Sequence, residues 1–164
     1  MDRIQPLIKK TEEFFEKDTR RIEHFKKVHH YAELIGQAEN LDEVTMTRLL
    51  AAAIVHDTGI KSAEALYGYN NAQLQEEFGP KAARPLLLSC RYRGEDILRI
   101  CYLVAHHHSY DAIDGIDFQI LVEADFLVNF EEEQMTPHQI SEVCHRIFKT
   151  TKGKALCKEL YHIE

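Results

Sequence analysis

The sequence predicts an all-α protein, and three observations carry that expectation. Apolar residues recur at three- and four-residue intervals along most of the chain. No stretch alternates apolar and polar residues for long, and no Asn-Gly or Asp-Gly turn joins two strand-like runs, since Asp114-Gly115 lies between helical stretches. The 164 residues match about one domain at ~150 residues each, without repeat, linker or low-complexity tract. The expectation is one irregular helical bundle over residues 1–164, with terminal helices at 1–17 and 136–162.

Taken in order, Leu7, Phe14 and Phe15 mark a first helix running toward Lys17. Ile22, Phe25, Val28, Ala32 and Ile35 keep the rhythm of an amphipathic helix that ends near Gly36. Asn40 and Asp42 are cap residues for a helix over Val44 to Val55, whose Leu49–Val55 end is apolar on every side and therefore central. Gly59 breaks the pattern. Residues 72–89 form a further helix, with Gly79-Pro80 as a kink or boundary. Ile97 to about His107 and Phe118 to Phe130 follow, separated by a polar loop from Ser109 to Asp117. Thr136-Pro137 with Gln139 has capping-box spacing and a proline at the first helical position. A last helix follows Gly153.

Charge and composition exclude several classes. With 20 basic and 27 acidic residues the formal charge is −7, so no general nucleic-acid footprint exists. The longest apolar runs fall far short of the ~20 residues of a membrane span. No signal peptide is read at Met1-Asp2-Arg3-Ile4, and the expected compartment is the cytoplasm. Cys90, Cys101, Cys144 and Cys157 form no Cys-x-x-Cys pair and are expected as reduced thiols. Ten histidines, five of them in His29-His30 and His106-His107-His108, are the compositional oddity, because imidazole is the commonest metal ligand.

The chemistry concentrates at His56-Asp57, which follows the buried Ala-Ala-Ile-Val run directly. Burying two polar side chains unpaired is costly, and a divalent cation removes the cost by accepting imidazole nitrogen and carboxylate oxygen together. The break at Thr58-Gly59 lets neighbours converge that a continuing helix would splay about 100° apart. His24 lies on or beside the apolar face of its helix, four residues before Val28. Asp125 stands in the apolar stretch Ile120 to Val128, where an unpaired carboxylate is equally costly.

The order His24, His56-Asp57, Asp125 resembles the H…HD…D ligand set of the HD superfamily of metal-dependent phosphohydrolases, over roughly residues 20–130. The segment Gln75 to Pro80 and the triplet His106-His107-His108 are similar to a bacterial branch of that superfamily. The resemblance implies a helical bundle around a central metal site with His24, His56, Asp57 and Asp125 as ligands. It implies a divalent transition metal (Fe, Mn, Co, Ni or Zn), one ion expected and a second admitted. It further implies hydrolysis of a small phosphate ester, a nucleotide foremost, through metal-activated water.

Within that reading His107 is a second-metal ligand or phosphate contact, with His106 in reserve. Asp57 or Glu76 accepts the water proton. Lys61, one place later than the lysine of many relatives, is the substrate-binding candidate. Arg84, Arg91, Arg93 and Arg99 are candidate aids in holding phosphate. The partner is a small phosphorylated molecule, with no membrane and with a homodimer left open. The alternatives are a non-catalytic HD module that binds a nucleotide or protein, and a two-iron HD-type oxygenase. The absence of a histidine near Gln75 weighs against the oxygenase.

Overall fold

Helix starts in this chain are written chemically. Asp18, Asp42, Asn71, Thr136 and Thr150 each accept the backbone N–H three residues ahead, satisfying a donor that the helix itself leaves unpaired. The computed structural model describes residues 2–163. Among these residues it contains α1 (Ile4–Phe15), α2 (Thr19–Ala38), α3 (Glu43–Val55), α4 (Gly59–Tyr67), α5 (Ala72–Ser89), α6 (Gly94–His106), α7 (Ile116–Glu132), α8 (Pro137–Arg146) and α9 (Thr151–Tyr161), and no strand. The all-α expectation holds. The capping box at Thr136 is present in full, with Gln139 returning its side chain to the Thr136 N–H.

Helix α3 is the axis of the core. Leu49 to Val55 are buried without exception, which fits a run that is apolar all round. Helices α1, α2, α6 and α7 pack against it, and α2 also lies along α7. These pairings bring the start of α2, the end of α3 and the middle of α7 to one place. Helix α5 joins α4 and α6 as an outer layer.

Three local expectations change. Gly59 begins a helix, α4, rather than only ending one. Its Cβ, if present, would lie 2.5 Å from the backbone nitrogen of Gly79, so two glycines let α4 and α5 meet backbone to backbone. The same contact explains why Gly79-Pro80 is no boundary: a single helix spans Pro80 and Pro85, held by packing on both sides. Helix α9 starts at Thr151, before Gly153. A Cβ at Gly153 would collide with the Glu123 carboxylate, 1.9 Å away.

The cysteine expectation is corrected at one pair. Cys144 of α8 and Cys157 of α9 are joined by a disulfide, while Cys90 and Cys101 are free. Thirteen residues apart, the two are brought together by the turn between α8 and α9, a proximity that motif spacing does not register.

Candidate metal centre

The donor atoms of His24, His56, Asp57 and Asp125 converge. His24 Nε2 lies 3.2 Å from His56 Nε2, 3.1 Å from Asp57 Oδ2 and 3.1 Å from Asp125 Oδ1. His56 Nε2 lies 3.3 Å from the same two carboxylate oxygens. All four residues are buried. The convergence of the neighbours His56 and Asp57 depends on the turn after α3. There Thr58 N–H bonds the Val55 carbonyl and Ile60 N–H bonds the Asp57 carbonyl, before α4 starts.

Each histidine has its outer nitrogen assigned by a neighbour. His56 Nδ1 is 2.7 Å from the Ala53 carbonyl, which can only accept, so Nδ1 carries the proton and Nε2 faces the cluster bare. His24 Nδ1 is 2.8 Å from Glu132, a carboxylate, with the same consequence. The two Nε2 lone pairs therefore face each other and two carboxylates with no proton of their own. In the neutral imidazole form nothing within the cluster can donate.

Such a cluster must take up positive charge. Burial alone would depress His24, yet hydrogen bonds to Asp125, Asp57 and Glu132 push its pKa up to about 12. Burial opposes His56 too, and Asp57 with Asp125 raises it to about 10. Against the cost of burial, the histidines hold the Asp57 and Asp125 carboxyls well below the usual carboxylate range. A divalent cation satisfies the same demand without protons. A metal 2.0–2.2 Å from its nitrogen and oxygen donors sets adjacent donors about 2.8–3.6 Å apart, for tetrahedral or octahedral shells. The distances of 3.1–3.3 Å fall inside that range. The residues fit a metal ion.

His107 completes the inner surface. It repeats the arrangement of His56: each caps the C-terminus of an apolar helix, α6 or α3, and gives its Nδ1 proton to the carbonyl three residues back. Helix ends leave carbonyls unpaired and carry partial negative charge, so both imidazoles are anchored where a cation is favoured. His107 Nε2 is buried and without a hydrogen-bond partner, 3.5 Å from Asp57 Oδ1. That separation is too long for a useful hydrogen bond.

The other expected residues are placed differently. His106 points outward, its ring against Tyr102 and its Nδ1 3.9 Å from Glu76. Glu76 is half exposed and does not line the cavity over the cluster, whereas Gln75 does. One step along a helix turns a side chain by about 100°, so only one of these two neighbours can face inward. Lys61 bonds the Phe14 carbonyl and lies over the Phe14 ring, outside that cavity. Of the four arginines considered, Arg99 is engaged by Asp114 and Asp117, and none lines the cavity. The cations that do line it are Arg20 and Arg21, in the first turn of α2. Their signal was only their position one turn before His24.

One further residue escaped sequence reading. Glu132 lies seven residues past Asp125 on α7, two turns along and hence on the same face, which is the one cue available. His108, with His107 and Asp125, forms a second group whose donor atoms lie within 4.8 Å of one another.

The fold has a solved counterpart. The chain is similar to a crystal structure of a predicted HD superfamily hydrolase from an uncultured Thermotogales bacterium. The TM-score is 0.68 with 21% identity, over 96% of this chain and 84% of that one. No family model and no curated protein matches the sequence. The likeness establishes the HD-type helical fold.

Proposed function

We propose that the protein is a metal-dependent hydrolase of small phosphate esters, with His24, His56, Asp57 and Asp125 as the ligands of its cation. The observation that carries the reading is the convergence of two bare imidazole nitrogens and two buried carboxylates. The likeness to a predicted HD superfamily hydrolase supports it. A divalent cation held there supplies a lowered water pKa and polarises a phosphoryl oxygen.

The chain's own residues supply the rest. Asp57 turns Oδ2 to His24 and His56 and offers its second oxygen, Oδ1, toward His107, as the candidate acceptor of the water proton. That role, first shared with Glu76, now rests on Asp57. His107 presents a buried nitrogen toward Asp57 from behind the cavity lining, suited to the cation when neutral or to a phosphoryl oxygen when protonated and reached. Arg20 and Arg21 provide positive charge at the mouth, and among the described residues their guanidinium groups form no ion pair. They offset part of the charge of Asp57, Asp125, Glu132 and Glu133, which line the same cavity, and a bound cation would supply the rest of the attraction for an anionic substrate.

Cavity size bears on the substrate. The cavity over the cluster holds about 170 Å³, below the ~300 Å³ at which small-molecule pockets usually begin. It accepts a phosphoryl group, and a nucleotide would extend beyond it. The adjoining groove, about 370 Å³, shares Arg21 and Ile60 with it and is lined by Lys17 and Lys61. There Lys61 regains a substrate-binding role, toward the part of the molecule that does not react.

The test is metal analysis of the purified protein, followed by a phosphate-ester panel with manganese, iron or cobalt. We expect bound metal and phosphate release, and for Asp57→Ala a loss of both, activity falling by at least about 100-fold. Metal retention with no hydrolysis of any ester would favour a binding module, and a protein that takes up no metal would defeat the reading.

A further inference from the structure

His108 stands beside His107 and within ligand range of Asp125, so the molecule has material for a second ion. Its surroundings decide whether that material is accessible. A chain of hydrogen bonds runs inward from the surface: Asn70 Nδ2 to Glu64 Oε2 at 3.1 Å, Gln75 Nε2 to Asn70 Oδ1 at 2.9 Å, and His108 Nε2 to Gln75 Oε1 at 3.0 Å.

The direction of this chain follows from its outer end. An ionised carboxylate only accepts, so Asn70 must turn its amide nitrogen to Glu64 and its oxygen to Gln75. Gln75 must then turn its nitrogen to Asn70 and its oxygen to His108. An amide oxygen also only accepts, so His108 must carry its proton on Nε2. Its bare Nδ1, 3.2 Å from the Tyr110 hydroxyl, is left to accept the phenolic proton. Both nitrogens of His108 are committed: one by a proton, the other by Tyr110. This differs from His24, His56 and His107, whose Nδ1 protons point to protein acceptors and whose Nε2 atoms face the cluster.

We infer that Gln75, oriented from Glu64 through Asn70, withholds His108 from metal and limits the centre to one ion. The inference rests on the metal-centre reading above and adds what sets the number of ions. Gln75 is buried, so its amide is not free to exchange partners with solvent at low cost. It is a positioning residue: it touches His108, not the cluster. Its removal would leave His108 held by Tyr110 alone, and Nδ1–H with bare Nε2 would become available.

The experiment is a cobalt titration of metal-free protein, followed by visible absorption and checked by total metal analysis. Wild type is expected to saturate at one equivalent and Gln75→Leu at two. Two equivalents in wild type, or one in Gln75→Leu, would overturn the inference. No cobalt bound by wild type would remove the metal centre itself and this inference with it. A second measurement needs no variant: nitrogen NMR of the zinc-loaded wild type, labelled at histidine. His108 should show a protonated Nε2 and an unmetallated Nδ1, and a metal-shifted His108 nitrogen would refute the proposal even if Gln75→Leu failed to fold.

Discussion

Glu132 turns His24 from a buried imidazole into an aimed one. By accepting the Nδ1 proton at 2.8 Å it leaves the bare Nε2 lone pair facing the cluster. Carboxylates in this position typically affect metal affinity by about 10–100-fold. Glu132→Ala should therefore weaken metal binding by that factor in a competition titration against a chelator, with the helical circular dichroism signal unchanged. An unaltered affinity would mean that packing alone orients His24. Single residues were legible in the sequence where burying them was costly. His56, Asp57 and Asp125 are polar groups set in apolar runs, and the structure brings them together with His24. Glu132 and Gln75 were not legible, because their surroundings in sequence are those of an ordinary solvated helix face.

Among the elements, the turn between α3 and α4 governs the site. It lets adjacent His56 and Asp57 reach one point, and it exists because α4 departs from α3 against the backbone of α5 at Gly79. Gly59→Ala would push a methyl to 2.5 Å from that backbone, which cannot swing aside as a side chain does. Overpacking of this kind costs about 1–3 kcal/mol, so the variant's urea midpoint should fall accordingly. Its metal affinity should fall as well, since His56 and Asp57 belong to the same turn. Helix boundaries followed the caps, as at Asp42 and Thr136. They were misread where tertiary contact overrules local grammar: proline inside α5, glycine at the starts of α4 and α9.

At the scale of the molecule, the cluster ties α2, the end of α3 and α7 through buried charge at the floor of the cavity. A cation bound at 100 times its dissociation constant adds about 2.7 kcal/mol to folding. For a protein of this length each kcal/mol is worth about 2–4 °C, so metal at that concentration should raise the melting temperature by about 5–10 °C over chelator-treated protein. Equal melting temperatures in manganese, cobalt, zinc and chelator would deny a coupling between site and fold. Helix α7 is held from its other face too. The fully buried Glu123 carboxylate accepts from Gln119, from the backbone of Lys149 and Thr150, and from the Thr150 hydroxyl. The C-terminal α9 is thereby fastened to the same helix that carries Asp125 and Glu132.

The sequence by itself determined the helical class and the central place of α3, and it marked His56, Asp57 and Asp125 as polar groups costly to bury unpaired. That these act together with His24 was what the resemblance to the HD superfamily implied. Periodicity and the cost of burying charge are local properties, readable from neighbours in the chain. Tertiary structure alone decided which nitrogen of each histidine faces inward, that Gln75 rather than Glu76 reaches the cavity, and that Arg20 and Arg21 stand at its mouth. Those outcomes depend on the rotation of one helix against another and on acceptors as far as 108 residues away, as Glu132 is from His24. No pattern of neighbouring residues records them.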